Sequence, residues 1–173
     1  MEFIFETIHD TYTMSAVAKV LRKLFRKKQS IITRILCIAL FVFGAYKATP
    51  LGGNALNFSP ASALSYIALL LLLVVALFED TVNGFFAQKR VGAGRLEITA
   101  TFFEEHYCLQ SDVDTTNWQY RNVNILVETK HFFLVVFNER HAQVFDKYTL
   151  SGGTEEEFRT FIQEKTGKTI RKL

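Results

Sequence analysis

Nineteen consecutive residues, Pro60 to Phe78, carry no charged side chain. In a helix rising about 1.5 Å per residue they extend roughly 28 Å, close to the thickness of a bilayer's hydrocarbon core. A helix that is apolar all round must be hidden all round, either in lipid or in the middle of a large protein. A chain of 173 residues has no such middle. The segment is therefore expected to cross a membrane over about 60–78, with Pro60 in the first turn and Ser59 as its cap.

An earlier run, SIITRILCIALFVFGAYKAT, is expected to span over about 31–48. Arg34 interrupts it near the start, where its stem can reach the headgroups, whereas a charge at the bilayer centre costs about 2.5–3.5 kcal/mol. Between the two runs, KATPLGGNALNFS supplies Pro50, Gly52, Gly53 and Asn54 for turns and only Lys47 for charge. Residues 29–80 thus read as a two-helix transmembrane hairpin. Ala61, Ser62, Ala63 and Ser65 are small enough for close helix packing.

Basic residues next to the spans set the orientation. Lys19, Arg22, Lys23, Arg26, Lys27, Lys28 and Arg34 precede the first, and Lys89, Arg90 and Arg95 follow the second. Both termini are expected in the cytoplasm and the loop outside, as in a multi-pass protein of the inner (plasma) membrane. The start of the chain has no signal-peptide arrangement. Cys37 and Cys108 fall one in each half, which fits free thiols in a reducing compartment.

Residues 1–95 carry 11 Lys and Arg against 5 Asp and Glu, a net +6, and residues 96–173 carry 9 against 12, a net −3. The overall basic balance averages two unlike parts, so no nucleic-acid partner is expected. Within residues 1–28, YTMSAVAKVLRKLFRKK places Ala16, Val17, Val20, Leu21, Leu24 and Phe25 on one helical face, and Asp10 is the expected N-cap. The cations Lys19, Arg22, Lys23, Arg26, Lys27 and Lys28 suit contact with anionic headgroups, without preference for one lipid. In a second reading, compatible with the first, these cations fix the topology and the apolar face packs on the cytoplasmic domain.

Residues 81–95 read as a helical extension and linker ending at Gly92 and Gly94, and the period then changes. In RLEITATFF, Leu96, Ile98, Ala100 and Phe102 alternate with polar residues, as in a half-buried strand. Further strands are expected over 105–109, in TTNWQYRNVNILVET with Val123, Ile125 and Val127 on one face, in FFLVVF and over 142–145. Thr154 and Glu157 stand at capping-box spacing before a helix with Phe158, Phe161 and Ile162 on one face, closed by Gly167. The fold class expected is a membrane α-helical hairpin plus an α+β cytoplasmic domain over 96–173, a PH-like curved antiparallel sheet with a C-terminal helix. Phe3 and Phe5 share a face, which would let residues 2–8 join that sheet; their sequence does not decide it.

This order of parts, with strands reading TATFFEEHY, WQYRNVNILVET and FFLVVF before GGTEEEFRTFIQEKTG, resembles the YcxB-like bacterial membrane proteins over nearly the whole chain. The resemblance implies an inner-membrane protein with a PH-like C-terminal domain. It carries no catalytic signature and implies no functional residue. DKYTLSGG lacks a proline expected there.

No convergent reactive set is legible. Gly92-Ala93-Gly94 lacks the flanking pattern of a phosphate loop and reads as a hinge. His9, His106, His131 and His141 have no ligand spacing, so neither metal nor cofactor is expected. His106 and Cys108 share a strand face but lack an orienting third group, and Glu104 and Glu105 face opposite sides. Asn57-Phe58-Ser59 abuts the span and is discounted as a glycosylation site. Glu79 and Asp80, at the end of the second span, are expected either to be solvated or to pair with Lys89 or Arg90. Trp118 and Tyr120 mark either a partner-binding face or the inner wall of the sheet, and core packing suits them better.

The function expected is that of a non-enzymatic membrane protein whose PH-like domain associates with a protein partner or with itself, an open sheet edge giving the route. The alternative is an accessory subunit of a transporter or stress-response complex that contacts its partners through the spans.

Overall fold

The computed structural model describes residues 2–48, 60–91, 96–112 and 114–173. Its elements are β1 (Phe3–His9), α1 (Thr11–Phe25), α2 (Lys27–Ala48), α3 (Pro60–Leu77), α4 (Glu79–Val91), β2 (Leu96–Phe102), β3 (His106–Ser111), β4 (Thr115–Gln119), β5 (Ile125–Glu128), β6 (Phe132–Asn138), β7 (His141–Asp146), α5 (Glu155–Thr166) and β8 (Ile170–Lys172). The loop residues Pro50, Gly52, Gly53, Asn54, Asn57 and Ser59 and the Gly92-Ala93-Gly94 hinge lie outside the described residues.

The fold is α+β, with two four-stranded sheets ordered β1-β2-β3-β4 and β7-β6-β5-β8. A single curved sheet is thus corrected to two. The division falls inside TTNWQYRNVNILVET, where a 3-10 turn at Tyr120–Asn122 separates β4 from β5. The Tyr120 ring is buried, and its hydroxyl donates to the carbonyl of Phe103 at 2.6 Å and lies 3.2 Å from that of His106. A buried phenol needs that partner, and reaching it turns the chain out of the first sheet.

Of residues 2–8, those from Phe3 onward do join the first sheet. β1 pairs antiparallel with β2, Phe3 opposite Phe102 and His9 opposite Leu96. Phe3 and Phe5 enter a core that also holds Phe102, Tyr107, Phe133, Phe145, Phe158 and Ile162. The Phe5 ring meets that of Phe158 edge-on at 4.7 Å, and Phe102 stacks on Tyr107 at 4.8 Å. The last helix begins with the expected capping box of Thr154 and Glu157 and ends at Gly167, φ 65°, a left-handed position that suits glycine.

FFLVVF does not alternate because both faces of its strand are covered. Phe133 and Val135 face the main core, while Phe132, Leu134 and Val136 meet Val17 and Val20 of α1. The apolar face of α1 is therefore spent on the domain, the second of its two readings. The expected N-cap is present, with Asp10 accepting from Thr13 N–H at 2.8 Å. The helix stops at Phe25, capped by Arg26, and a new one starts at Lys27.

Among the described residues α2, over Lys27–Lys47, is the one helix long and apolar enough to cross a membrane, and 11% of that stretch is buried. Ala63–Leu77 meets the same test only together with Glu79–Lys89, across a 90° bend. Helix α3 covers Pro60–Leu77, the stretch expected from the sequence, and the chain turns between it and α4. The two apolar helices lie antiparallel, with Gly44 against Leu69 and Arg34 against Glu79. Their outward side chains are bare: Ile32, Phe43 and Leu64 are 66%, 62% and 69% exposed.

Candidate functional site

The helices and the sheets meet at an antiparallel pair, α1 against α4. Thr11 Oγ1 donates to Gln88 Oε1 at 2.5 Å near one end. At the middle, a Cβ on Gly84 would stand 2.6 and 2.7 Å from Ser15 N and Cα, so only glycine admits this approach. At the other end Arg22 Nε and Nη2 hold both oxygens of Asp80 at 2.7 Å. The neighbouring Glu79 Oε2 accepts from Ser30 Oγ at 2.5 Å and Arg34 Nε at 3.2 Å. Among the described residues Glu79 and Asp80 are thus partnered from α1 and α2 and not by Lys89, and the Arg90 side chain lies outside that description. Two carboxylates at the bend fasten α4 to α1 and α2. The Asp80 hydrogen bond raises the pKa of the Arg22 guanidinium above its ordinary value.

Two clefts flank α1. The first, about 780 Å³, is the open mouth between the sheets. Ile98 and Leu109 carry the inner-face alternation of β2 and β3 into it, Ala142 and Val144 of β7 form the facing wall, and Arg22 and Arg26 sit above. Trp118 is at this mouth, its ring 4.7 Å from Phe137 and 5.1 Å from His141. Burial pushes the His9 imidazole in the same cleft below its usual pKa, against the pull of Asp10.

The second cleft, about 460 Å³, lies on the other side of α1. Lys19, Lys23 and Lys130 surround it over a floor containing Val20 and Phe132, and its one acidic side chain, Asp80, is held by Arg22. Three ordinary features converge here: exposed ammoniums, an aromatic floor, and hydroxyls of Ser15 and Thr81. That chemistry can receive an anion without selecting one.

The six cations expected at a membrane surface are therefore divided. Lys19 and Lys23 line the second cleft, Arg22 and Arg26 the first, and Lys27 and Lys28 are exposed at the start of α2. Trp118 and Tyr120 are not a common outer face, because Tyr120 is 5% exposed in the core. Lys130 and His131, which complete the second cleft, lie between β5 and β6, and what brings them in is the packing of β6 on α1.

Elsewhere the buried side chains of Glu128 and Tyr107 are held by partners. Glu128, at the end of β5 and 6% exposed, accepts from Lys147 Nζ at 2.5 Å and from Arg159 Nε and Nη2 at 3.0 and 2.9 Å. Its carboxyl is held down to about 2, first by the Arg159 hydrogen bond and then by Lys147, against the cost of burial. Tyr107 donates to Gln143 Oε1 at 2.5 Å, and burial pushes its phenol well above the usual range. Cys37 and Cys108 are both free. Among the described residues no three or more His, Cys, Asp or Glu are grouped to hold a metal ion.

No family model matches the chain. No significant match was found to curated proteins or to solved structures.

Proposed function

We propose that this is a non-enzymatic protein anchored in the inner membrane by the α2–α3 hairpin, holding a PH-like domain at the cytoplasmic face for association with a protein partner or with a second copy. The observation that carries the reading is the pairing of β1 with β2 on either side of the apolar helices. Strands of one sheet lie on one side of a bilayer, so the chain between them crosses an even number of times. With α2 as one crossing, a second must follow, and the apolar segment beginning at Pro60 supplies it. The bare apolar flanks of both helices support the same reading, since water would leave that surface unpaid for.

The 90° bend at Phe78 then turns α4 along the membrane surface. Phe85 and Phe86 are 44% and 55% exposed on it, and Lys89 lies 4.7 Å above the Phe85 ring. An interfacial helix carries this mixture of aromatic and cationic side chains. In this reading α4, not α1, lies along the headgroups, and Lys27, Lys28 and the second cleft face the anionic lipid beside it. The structural pairing of Glu128, Glu79, Asp80 and Tyr107 supports a non-enzymatic role. The YcxB-like resemblance is consistent with this picture.

The test is thiol labelling of single cysteines in intact cells and in opened vesicles. Cysteines at Glu2 and Lys172 are expected to react only after opening, and one at Asn54 in intact cells. Labelling of all three in intact cells, or recovery of the protein in the soluble fraction, overturns the reading.

A further inference from the structure

Two four-stranded sheets have four edge strands, and three of them are closed. On β1 the outward groups are used: Ile4 N–H and C=O bond Ser151 at 3.0 and 2.9 Å, Glu6 N–H bonds Thr149 Oγ1 at 3.0 Å, and Ile8 C=O accepts from Asp10. On β7, Thr7 Oγ1 accepts from Asp146 N–H at 3.0 Å and Val144 is buried against Val17 and Val20. The short β8 carries Arg171 and Lys172, and Gln163 Oε1 takes the N–H of Ile170. Charge and side-chain capture of this kind keep an edge from pairing.

The fourth edge, β4, has neither protection in its centre. Its sequence, Thr115-Thr116-Asn117-Trp118-Gln119, contains no charge and no proline. The bond from Ser111 N–H to Asp114 C=O closes the β3–β4 hairpin. In an antiparallel ladder that puts Leu109–Thr116 and Tyr107–Trp118 in the hydrogen-bonded pairs and turns the N–H and C=O of Thr115, Asn117 and Gln119 outward. Asp114 Oδ1 takes the Thr115 N–H at 2.8 Å. The outward groups of Asn117 and Gln119 have no partner among the described residues.

We propose that β4 pairs antiparallel with β4 of a second copy, about a two-fold axis through Asn117. This rests on the association reading above and names its surface and its partner. The register follows from the axis: Asn117 faces Asn117, Thr115 faces Gln119 and Thr116 faces Trp118. Asn117 makes two backbone bonds across the axis, and each Gln119 N–H reaches a Thr115 carbonyl, so the Asp114 cap is undisturbed. A second copy is the partner the charges select. The ladder has no charge to repel its own image, and its ends bring Asp112 and Asp114 of each copy beside the other's Arg121, which is exposed and has no ion pair among the described residues.

The experiment uses the full chain in its membrane, with Cys37 and Cys108 replaced by alanine. Removing Cys108 matters because it stands opposite Asn117 within the hairpin. Hydrogen-bonded antiparallel neighbours have Cα atoms roughly 5.5 Å apart, within disulfide reach. Under mild oxidation N117C is expected to give a covalent dimer, T116C alone none, and T116C co-expressed with W118C a mixed dimer. N117K, which sets two like charges at the axis, is expected to lower the dimer fraction in nanodiscs at least ten-fold, and N117T to keep it. Dimers trapped at I35C or L64C but not at N117C, or monomer throughout, overturn the proposal. Flotation of the same samples with lipid reports separately on membrane anchoring: a chain that floats but does not cross-link at Asn117 refutes the β4 pairing alone.

Discussion

Arg22 and Asp80, 58 positions apart, meet in a two-pronged ion pair with both contacts at 2.7 Å, and this pair sits where the apolar helices give way to the sheets. It is only partly exposed, 16% and 21% at the two side chains, so its hydrogen bonds are stronger than those of a surface pair. Asp80→Asn is expected to cost about 1.5–3 kcal/mol. A double-mutant cycle with Arg22→Gln, read by thermal unfolding in detergent, should return coupling of the same sign and about that size.

Glu128 makes stability depend on acid. Its carboxyl is depressed in the folded protein to about 2 from an ordinary 4.5, so the ionised form favours the fold. The contribution is complete above the unfolded value and is lost as pH falls from about 4.5 to about 2, amounting to about 3 kcal/mol. Glu128→Gln should remove this part of the acid transition, followed by circular dichroism, and should destabilise the protein at neutral pH by leaving Lys147 and Arg159 short of a counter-charge.

The crossing of α1 and α4 depends on Gly84. Gly84→Val forces a side chain against Ser15 backbone that cannot move aside as a side-chain tip can. A loss of about 1–3 kcal/mol is expected by denaturant unfolding, with Gly84→Ala already destabilising.

Phe86 reports where α4 lies. In the membrane reading, Phe86→Trp in the Trp118→Phe background emits at shortened wavelength and is quenched by lipids brominated near the headgroups. A spectrum that lipid leaves unchanged would place α4 in water.

The features legible in the sequence were those written within a dozen residues. The capping box at Thr154 and Glu157, the Asp10 cap and the alternation of Leu96 to Phe102 are local and appear where expected. What stayed hidden depends on residues far apart. The place of β1 is decided by Phe102 and Phe158, and the continuous FFLVVF run makes sense only once α1 covers its second face. The bend at Phe78 has no proline or glycine to announce it, and the carboxylates that hold it take their partners from α1 and α2. Lys19 and Lys23 were visible as cations, but the cleft they share with Lys130 exists only through the packing of sheet on helix. The open edge of β4 was concealed because Tyr120 splits what reads as one long strand.

The pairing of β1 with β2 also dictates an order of assembly. The first strand leaves the ribosome early, yet its partner lies beyond residues 10–95, which include both apolar helices. Until those helices are placed and residues 96–102 are made, Phe3 and Phe5 have no core to enter, and the N-terminal segment waits as an exposed apolar strand. Closing so long a loop is slow, and in the membrane reading inserting the helices as a pair brings its two ends together and shortens the search. In that reading membrane insertion becomes the nucleating step of the sheet.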